Sequence, residues 1–175
     1  MGYIVGLSGV RKNGEELIGR KNDSYLYYYG ETKGQKGFGF YINGKTRSNV
    51  RVLRKVSEGI RIIMKVNIDG NKHMSTIQVY APTLESKEED IKKLYSGLQE
   101  ATSEEGEQYN MVMGDWNAKV GHNYNKKDCI GQYGLGKRNM NGEMLLEYAR
   151  SNNLKVAGTF FKKTLNRKWG KIRME

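Results

Sequence analysis

An α+β fold with a mixed β-sheet is predicted for this chain by two observations. Several stretches carry strand signals, and two others place apolar residues at helical spacing, with helices interspersed among the strands. That order along the chain suits two packed sheets with helices outside them. The length of 175 residues, with no internal repeat and no linker, indicates one domain.

The predicted strands are stretches rich in aromatic, β-branched or alternating apolar residues. They cover residues 3–7, 25–29, 37–42, 60–68, 74–80, 109–114 and 155–158. The longest has apolar residues at every second position, typical of a half-buried strand: Ile60, Ile62, Met64, Val66 and Ile68. The glycine-rich residues 30–37 separate two aromatic-rich strands and are predicted to form a hairpin loop.

Two helices are predicted. The first runs from Ser86 to about Ala101, where Ser86 and Glu89 form a capping-box pattern. Its apolar stripe consists of Ile91, Leu94, Tyr95 and Leu98. The second runs from about Asn141 to Asn152, and its inward-facing residues are Leu145, Tyr148 and Ala149.

Composition narrows the classes of partner and compartment. The net charge of +11 favours a polyanionic partner, because Lys and Arg that neutralise phosphates release counterions. The alternative is that the basic excess only solvates the surface. The single cysteine, Cys129, excludes an internal disulfide, and no disulfide-linked partner is expected. No long apolar stretch and no secretory signal is present, so we expect no membrane partner and an intracellular protein, nuclear or cytoplasmic.

The most informative segment is Tyr109–Ala118, an apolar run that ends in Gly-Asp-Trp-Asn. Asp115 and Asn117 are two residues apart, so in extended backbone their side chains leave on one face. A carboxylate that activates water beside an amide that holds an oxyanion suits phosphodiester hydrolysis. The segment alone is also ordinary for a strand that ends in a turn.

Several other segments of the chain, taken together with Tyr109–Ala118, form a set of motifs that is far more specific than any one of them. Together they resemble the endonuclease/exonuclease/phosphatase superfamily, most closely its branch in non-LTR (LINE-type) retrotransposons and craniofacial development protein 2-like proteins. The resemblance runs from about Ile4 to about Trp169 and rests on Gly6–Arg11, Tyr27–Phe40, Ile77–Thr83, Gly134–Glu147, Asn152–Leu154 and Gly158–Phe161. It implies a DNase I-like four-layer sandwich of two mixed sheets flanked by helices, a Mg²⁺ cofactor and a DNA substrate.

The resemblance also implies roles for residues at matching positions. Asp115 would orient and activate the attacking water, and Asn117 would hydrogen-bond the scissile phosphate. Tyr80, at the end of the neighbouring strand, would contact the same phosphate. Arg138 and Asn139, before the second predicted helix, would either contact backbone phosphate or solvate and cap that helix.

One departure from the family pattern concerns the metal ligand. The segment Leu7–Arg11 reads Leu-Ser-Gly-Val-Arg, whereas the family usually has a metal-binding glutamate at the position of Gly9. Glycine offers no side-chain oxygen for Mg²⁺. Glu31 and Glu58 do not lie at the matching position. No metal ligand set is therefore expected to be intact.

The other departures are at the ends. The family's first strand and its C-terminal Asp-His strand have no counterpart, so residues 1–175 are expected to be a single partial domain with impaired hydrolysis. The alternatives are a non-catalytic basic nucleic-acid-binding remnant or a degenerate open reading frame. Unpaired strand edges invite aggregation, so we expect marginal stability or insolubility. A cooperative transition above about 50 °C would contradict this.

Overall fold

The α+β fold class is confirmed by the computed structural model, which describes residues 2–30, 37–55, 61–105, 109–123 and 128–162. These residues contain two four-stranded sheets, two α-helices and short 3₁₀ turns. The arrangement of sheets and helices is consistent with a DNase I-like sandwich. Glu31, Glu58 and most of the predicted hairpin loop lie outside the described residues.

The first sheet is antiparallel throughout and has the strand order β1-β4-β3-β2. Its strands are β1 (Ile4–Val10), β2 (Gly14–Gly19), β3 (Tyr25–Gly30) and β4 (Gly37–Ile42). Strand β2 was not predicted, because its sequence Gly-Glu-Glu-Leu-Ile-Gly is almost entirely exposed and has no alternating apolar face. It is held instead by pairing with β3, where the Tyr28 hydroxyl donates to Glu16 at 2.6 Å.

The second sheet has the order β5-β6-β7-β8, and its last pair is parallel, so the predicted mixed sheet is confirmed. Its strands are β5 (Val50–Lys55), β6 (Arg61–Asp69), β7 (Lys72–Tyr80) and β8 (Tyr109–Asp115). Strand β5 was also missed. A parallel neighbour requires a long crossover connection, and here the connection between β7 and β8 contains a helix.

The two sheets pack face to face through a shared apolar cluster. Phe38 and Phe40 of β4 are fully buried against Met64 of β6. Tyr80 at the end of β7 and Met113 of β8 are partly buried against the same cluster. Burying aromatic and thioether side chains removes large apolar areas from water. The cluster therefore anchors the strand ends at which the site residues lie.

Helix α1 runs from Glu88 to Glu105 and α2 from Met140 to Ser151. Their predicted inward faces are confirmed for the buried residues Ile91, Leu94, Leu98, Leu145, Tyr148 and Ala149. Ser86 lies in the turn before α1, where its backbone N–H donates to Thr83 O at 3.1 Å. The strand predicted at 155–158 is wrong. That segment leads into a 3₁₀ turn at Ala157–Thr159, where Val156 N pairs with Cys129 O rather than with a strand.

The chain divides into two compact units. The first comprises residues 1–81 and 92–115 and contains both sheets. The second comprises residues 82–91 and 116–175 and contains α2. The single domain inferred from the sequence stays a prediction. Within the described ranges, no helix is both long and apolar enough to cross a membrane.

Candidate phosphate-binding site

The carboxyl ends of β7 and β8 bring two of the predicted site residues together in the first unit. In the parallel register, Tyr80 lies directly opposite Asp115. The strands stay paired one step further, because Ala81 N donates to Asp115 O at 2.8 Å. Asp115 is exposed, whereas Tyr80 is half-buried with its ring against the core between the sheets. The structure thus presents a carboxylate beside an anchored tyrosine.

Ser8 of β1 joins these strand ends, and nothing in the sequence indicated its role. Its Oγ accepts a hydrogen bond from the Asp115 backbone N–H at 3.2 Å and another from Gln78 Nε2 at 2.9 Å. Gln78 lies on β7 and is only 1% exposed. Its Nε2 also donates to Leu7 O at 3.2 Å. Three strands from two sheets therefore meet at one serine hydroxyl, which periodicity along the chain cannot reveal.

Gly9, next to Ser8, interrupts the pairing of β1 with β4. The register shifts between Ser8 and Val10, so Gly9 is the extra residue of a β-bulge. Its φ of 79° lies in the left-handed region, which glycine adopts without the steric cost that a side chain adds. A Cβ at this position would meet no atom within 4 Å. A side chain at position 9 would therefore project into open space.

The residues at these strand ends supply only part of the Mg²⁺ site that the family resemblance implies. Mg²⁺ takes near-octahedral oxygen ligands, usually one or two carboxylates with waters and phosphate oxygens. Asp115 supplies one carboxylate, and Gly9 supplies no side-chain oxygen. In the part of the chain that the structure describes, no group of three or more His, Cys, Asp or Glu side chains could hold a metal ion.

Asn117 belongs to the second unit and does not continue strand β8, which ends at Asp115. Its φ is 45°, so the extended backbone of Asp115 does not continue to Asn117, and the period-two argument does not apply to this pair. The Asn117 carbonyl accepts from Asn141 Nδ2 at 3.3 Å and from Asn139 Nδ2 at 3.5 Å. Asn141 is 2% exposed and also donates to Pro82 O at 3.0 Å. These amides hold the irregular segment after β8 in which Asn117 lies.

Arg138 and Asn139 have structural partners at the start of α2. Asn139 is the N-cap, and its Oδ1 accepts from Gly142 N and from Lys119 N, both at 2.9 Å. Arg138 Nε donates to Val120 O at 2.9 Å, and its Nη1 lies 3.3 Å from Glu143. The capping role proposed for Asn139 is therefore present. Phosphate contact by either residue stays a prediction.

A second polar cluster lies in the second unit around Asp128. Arg150 donates to both carboxylate oxygens, at 3.2 and 3.1 Å, and Asn123 and Cys129 N donate to the same carboxylate. The Arg150 guanidinium and the Cys129 backbone N–H hold the pKa of Asp128 well below its ordinary value. Burial raises the pKa of the Cys129 thiol. A cavity of about 370 Å³ lies beside this cluster.

Comparison with known proteins found similarity to craniofacial development protein 2. No protein-family model matches the chain. The chain is 29% identical over 169 residues to craniofacial development protein 2 of Bos taurus, covering 94% of this chain and 27% of that protein. It is 28% identical over 169 residues to craniofacial development protein 2 of Tragulus javanicus, covering 94% of this chain and 28% of that protein. The chain thus spans about a quarter of the length of these relatives and is similar to them along nearly its whole length.

Proposed function

We propose that this chain binds the phosphodiester backbone of DNA at the strand ends that carry Tyr80 and Asp115, and that its hydrolysis of that backbone is impaired. Its ancestry would be a Mg²⁺-dependent endonuclease domain of a non-LTR retrotransposon. Distant similarity to craniofacial development protein 2 agrees with the branch of the superfamily that the sequence motifs resemble.

The observation that supports the proposal best is the register of β7 and β8. Tyr80 and Asp115 are distant in sequence but lie directly opposite each other in the parallel pair. Both stand at carboxyl ends of strands, where ligands commonly bind in sheets with helical crossovers. The net charge of +11 adds a long-range attraction for a polyanion.

The impairment follows from Gly9. The family places a metal-binding carboxylate there, whereas this chain has a glycine in a left-handed bulge. Without that carboxylate the chain would hold Mg²⁺ less well, and the metal ion is what would stabilise charge at the reacting phosphate. We therefore expect hydrolysis near background and binding without turnover.

DNA binding is tested by fluorescence anisotropy with a labelled duplex between 50 and 200 mM salt, a range in which phosphate contacts weaken strongly. We expect log affinity to fall linearly with log salt concentration. Tyr80→Phe should weaken binding about ten-fold by removing one hydroxyl contact to a charged phosphate. Tyr109→Phe is the matched control, because Tyr109 lies at the opposite end of β8 and is 42% exposed. If the two variants weaken binding equally, Tyr80 does not contact DNA at this site.

Hydrolysis is tested separately by nicking of supercoiled plasmid in Mg²⁺ and in EDTA, with Asp115→Ala as the control. Circular dichroism should first show that both proteins are folded. We expect the wild-type chain to nick no more than Asp115→Ala. Mg²⁺-dependent nicking that Asp115→Ala abolishes would mean that other residues complete the metal site, and the proposed impairment would be wrong.

A further inference from the structure

The hydrogen bonds around Ser8 determine whether its hydroxyl group donates or accepts in each of them. Leu7 O is a carbonyl oxygen and can only accept, so the Gln78 side-chain atom 3.2 Å from it must be the amide nitrogen. The same nitrogen lies 2.9 Å from Ser8 Oγ. Because an amide NH₂ group only donates, Ser8 must be the acceptor in that bond.

A second donor occupies the other acceptor position of Ser8. The Asp115 backbone N–H points at Ser8 Oγ across 3.2 Å. A serine hydroxyl has two lone pairs and one O–H. With both lone pairs engaged, the remaining O–H has to point away from Gln78 and Asp115. Ser8 is exposed, so this donor points towards solvent beside the Asp115 strand end.

The surroundings of Ser8 allow an anionic oxygen to approach. The Gly9 bulge places no side chain next to the hydroxyl, and a Cβ there would have empty space around it. Glycine commonly occurs where a ligand approaches backbone closely. Arg11 and Lys12, which follow β1 directly, are both exposed and basic. Both residues contribute to the positive net charge that attracts a polyanion.

From these contacts we propose that Ser8 is a ligand-binding residue whose hydroxyl donates to a non-bridging phosphate oxygen of bound nucleic acid. Gln78 is a positioning residue that fixes the direction of this donor from within the core. This inference rests on the proposed function, because it assumes that the strand ends bind a phosphodiester. It adds a neutral contact that needs no metal ion.

The test compares Ser8→Ala with Ser8→Thr in the same duplex-binding assay. Ser8→Ala should weaken binding about ten-fold, the loss typical of a hydrogen bond to a charged group. Ser8→Thr retains the hydroxyl and suits a strand, so it should bind within two-fold or so of the wild type. Ser96→Ala is the matched control, since Ser96 is an exposed serine on α1 that donates to Lys93 O.

The thermal midpoint of each variant separates ligand contact from structural damage. We expect Ser8→Ala to have a lower affinity for DNA than Ser8→Thr at temperatures at which both variants are fully folded. Unchanged affinity in Ser8→Ala, with wild-type binding intact, overturns the role of Ser8 and leaves the proposed function standing. An equal loss of DNA affinity in Ser8→Ala and Ser8→Thr also overturns the role of Ser8, because threonine retains the hydroxyl that the proposal requires. No binding by the wild-type chain overturns both proposals.

Discussion

Gly9 affects both the backbone and the chemistry of this chain, because it has a left-handed conformation and carries no side-chain carboxylate. Its left-handed φ of 79° suits the bulge in β1, and an added Cβ would touch nothing. A side chain here would therefore cost backbone strain rather than steric overlap. A glutamate at this position would be strained in the same way. The glycine that suits the bulged backbone is therefore also the reason that position 9 supplies no carboxylate.

Gly9→Ala is expected to lower the free energy of unfolding by about 1 kcal/mol, because alanine is strained at positive φ. Urea denaturation measures the change. Gly19→Ala is the control, since a Cβ at Gly19 also meets no atom within 4 Å but its φ lies outside the left-handed region. Equal changes in the two variants would show that Gly9 is not restricted to glycine by its backbone.

At the scale of elements, Asp128 ties α2 to the loop that precedes it in the second unit. Its carboxylate is bound by Arg150 of α2 and by Asn123, and its carbonyl accepts from Lys155 Nζ at 2.8 Å. The Asp128 side chain is only 15% exposed, although that of Arg150 is 48% exposed. Because three side chains from different segments converge on one residue, the cluster should stabilise more than an isolated surface ion pair.

Asp128→Asn should lower the free energy of unfolding by about 1–2 kcal/mol at neutral pH, through loss of charge-assisted hydrogen bonds. Because the pKa of Asp128 is lowered in the folded state, this stabilisation is fully present above the ordinary pKa near 3.9. It is lost as pH falls through the folded value. Urea denaturation of both proteins at pH 7, 5 and 3 should show the difference shrinking at pH 3.

Glu143→Gln provides the control for the Asp128 prediction. The Arg138–Glu143 pair has side chains that are 31% and 61% exposed, so solvent screens it. We expect a change below about 0.5 kcal/mol at pH 7. A pH-independent difference between wild type and Asp128→Asn would mean that the carboxylate charge contributes nothing.

At the scale of the whole molecule, the outer strands bear on the predicted tendency to aggregate. Among the described residues, β8 is the outer strand of its sheet, and Tyr109 and Met111 on it are 42% and 44% exposed. An outer strand with exposed apolar side chains is a template for pairing with another chain. Natural proteins often protect such edges with lysine.

Met111→Lys should therefore reduce concentration-dependent association, measured by light scattering across a dilution series. Its thermal midpoint should stay within about 2 °C of the wild type, as expected of a surface change. Met140→Lys is the control, because Met140 is 50% exposed but lies on helix α2 and not on a strand. If both lysines reduce association equally, added charge and not edge protection is the cause.

Much of this molecule was accessible from local patterns. The α+β class, the buried faces of both helices and most strands follow from periodicity, because burial on one face repeats at a fixed spacing along the chain. Strand β2 and the 3₁₀ turn at Ala157–Thr159 were missed because pairing partners, and not their own apolar pattern, decide their conformation. The conformation of Asn117 was mispredicted because strand β8 ends at Asp115 and side chains distant in sequence, Asn139 and Asn141, bind the Asn117 carbonyl.

The sequence by itself determined which residue types are available for chemistry: a carboxylate at Asp115, a tyrosine at Tyr80, a glycine at position 9 and a strong excess of positive charge. Tertiary structure alone decided which of them meet. Parallel pairing places Tyr80 opposite Asp115, and close approach of the two sheets brings Ser8 and Gln78 to the same point. Contacts between residues that are far apart in the chain depend on packing and register, which no local repeat encodes.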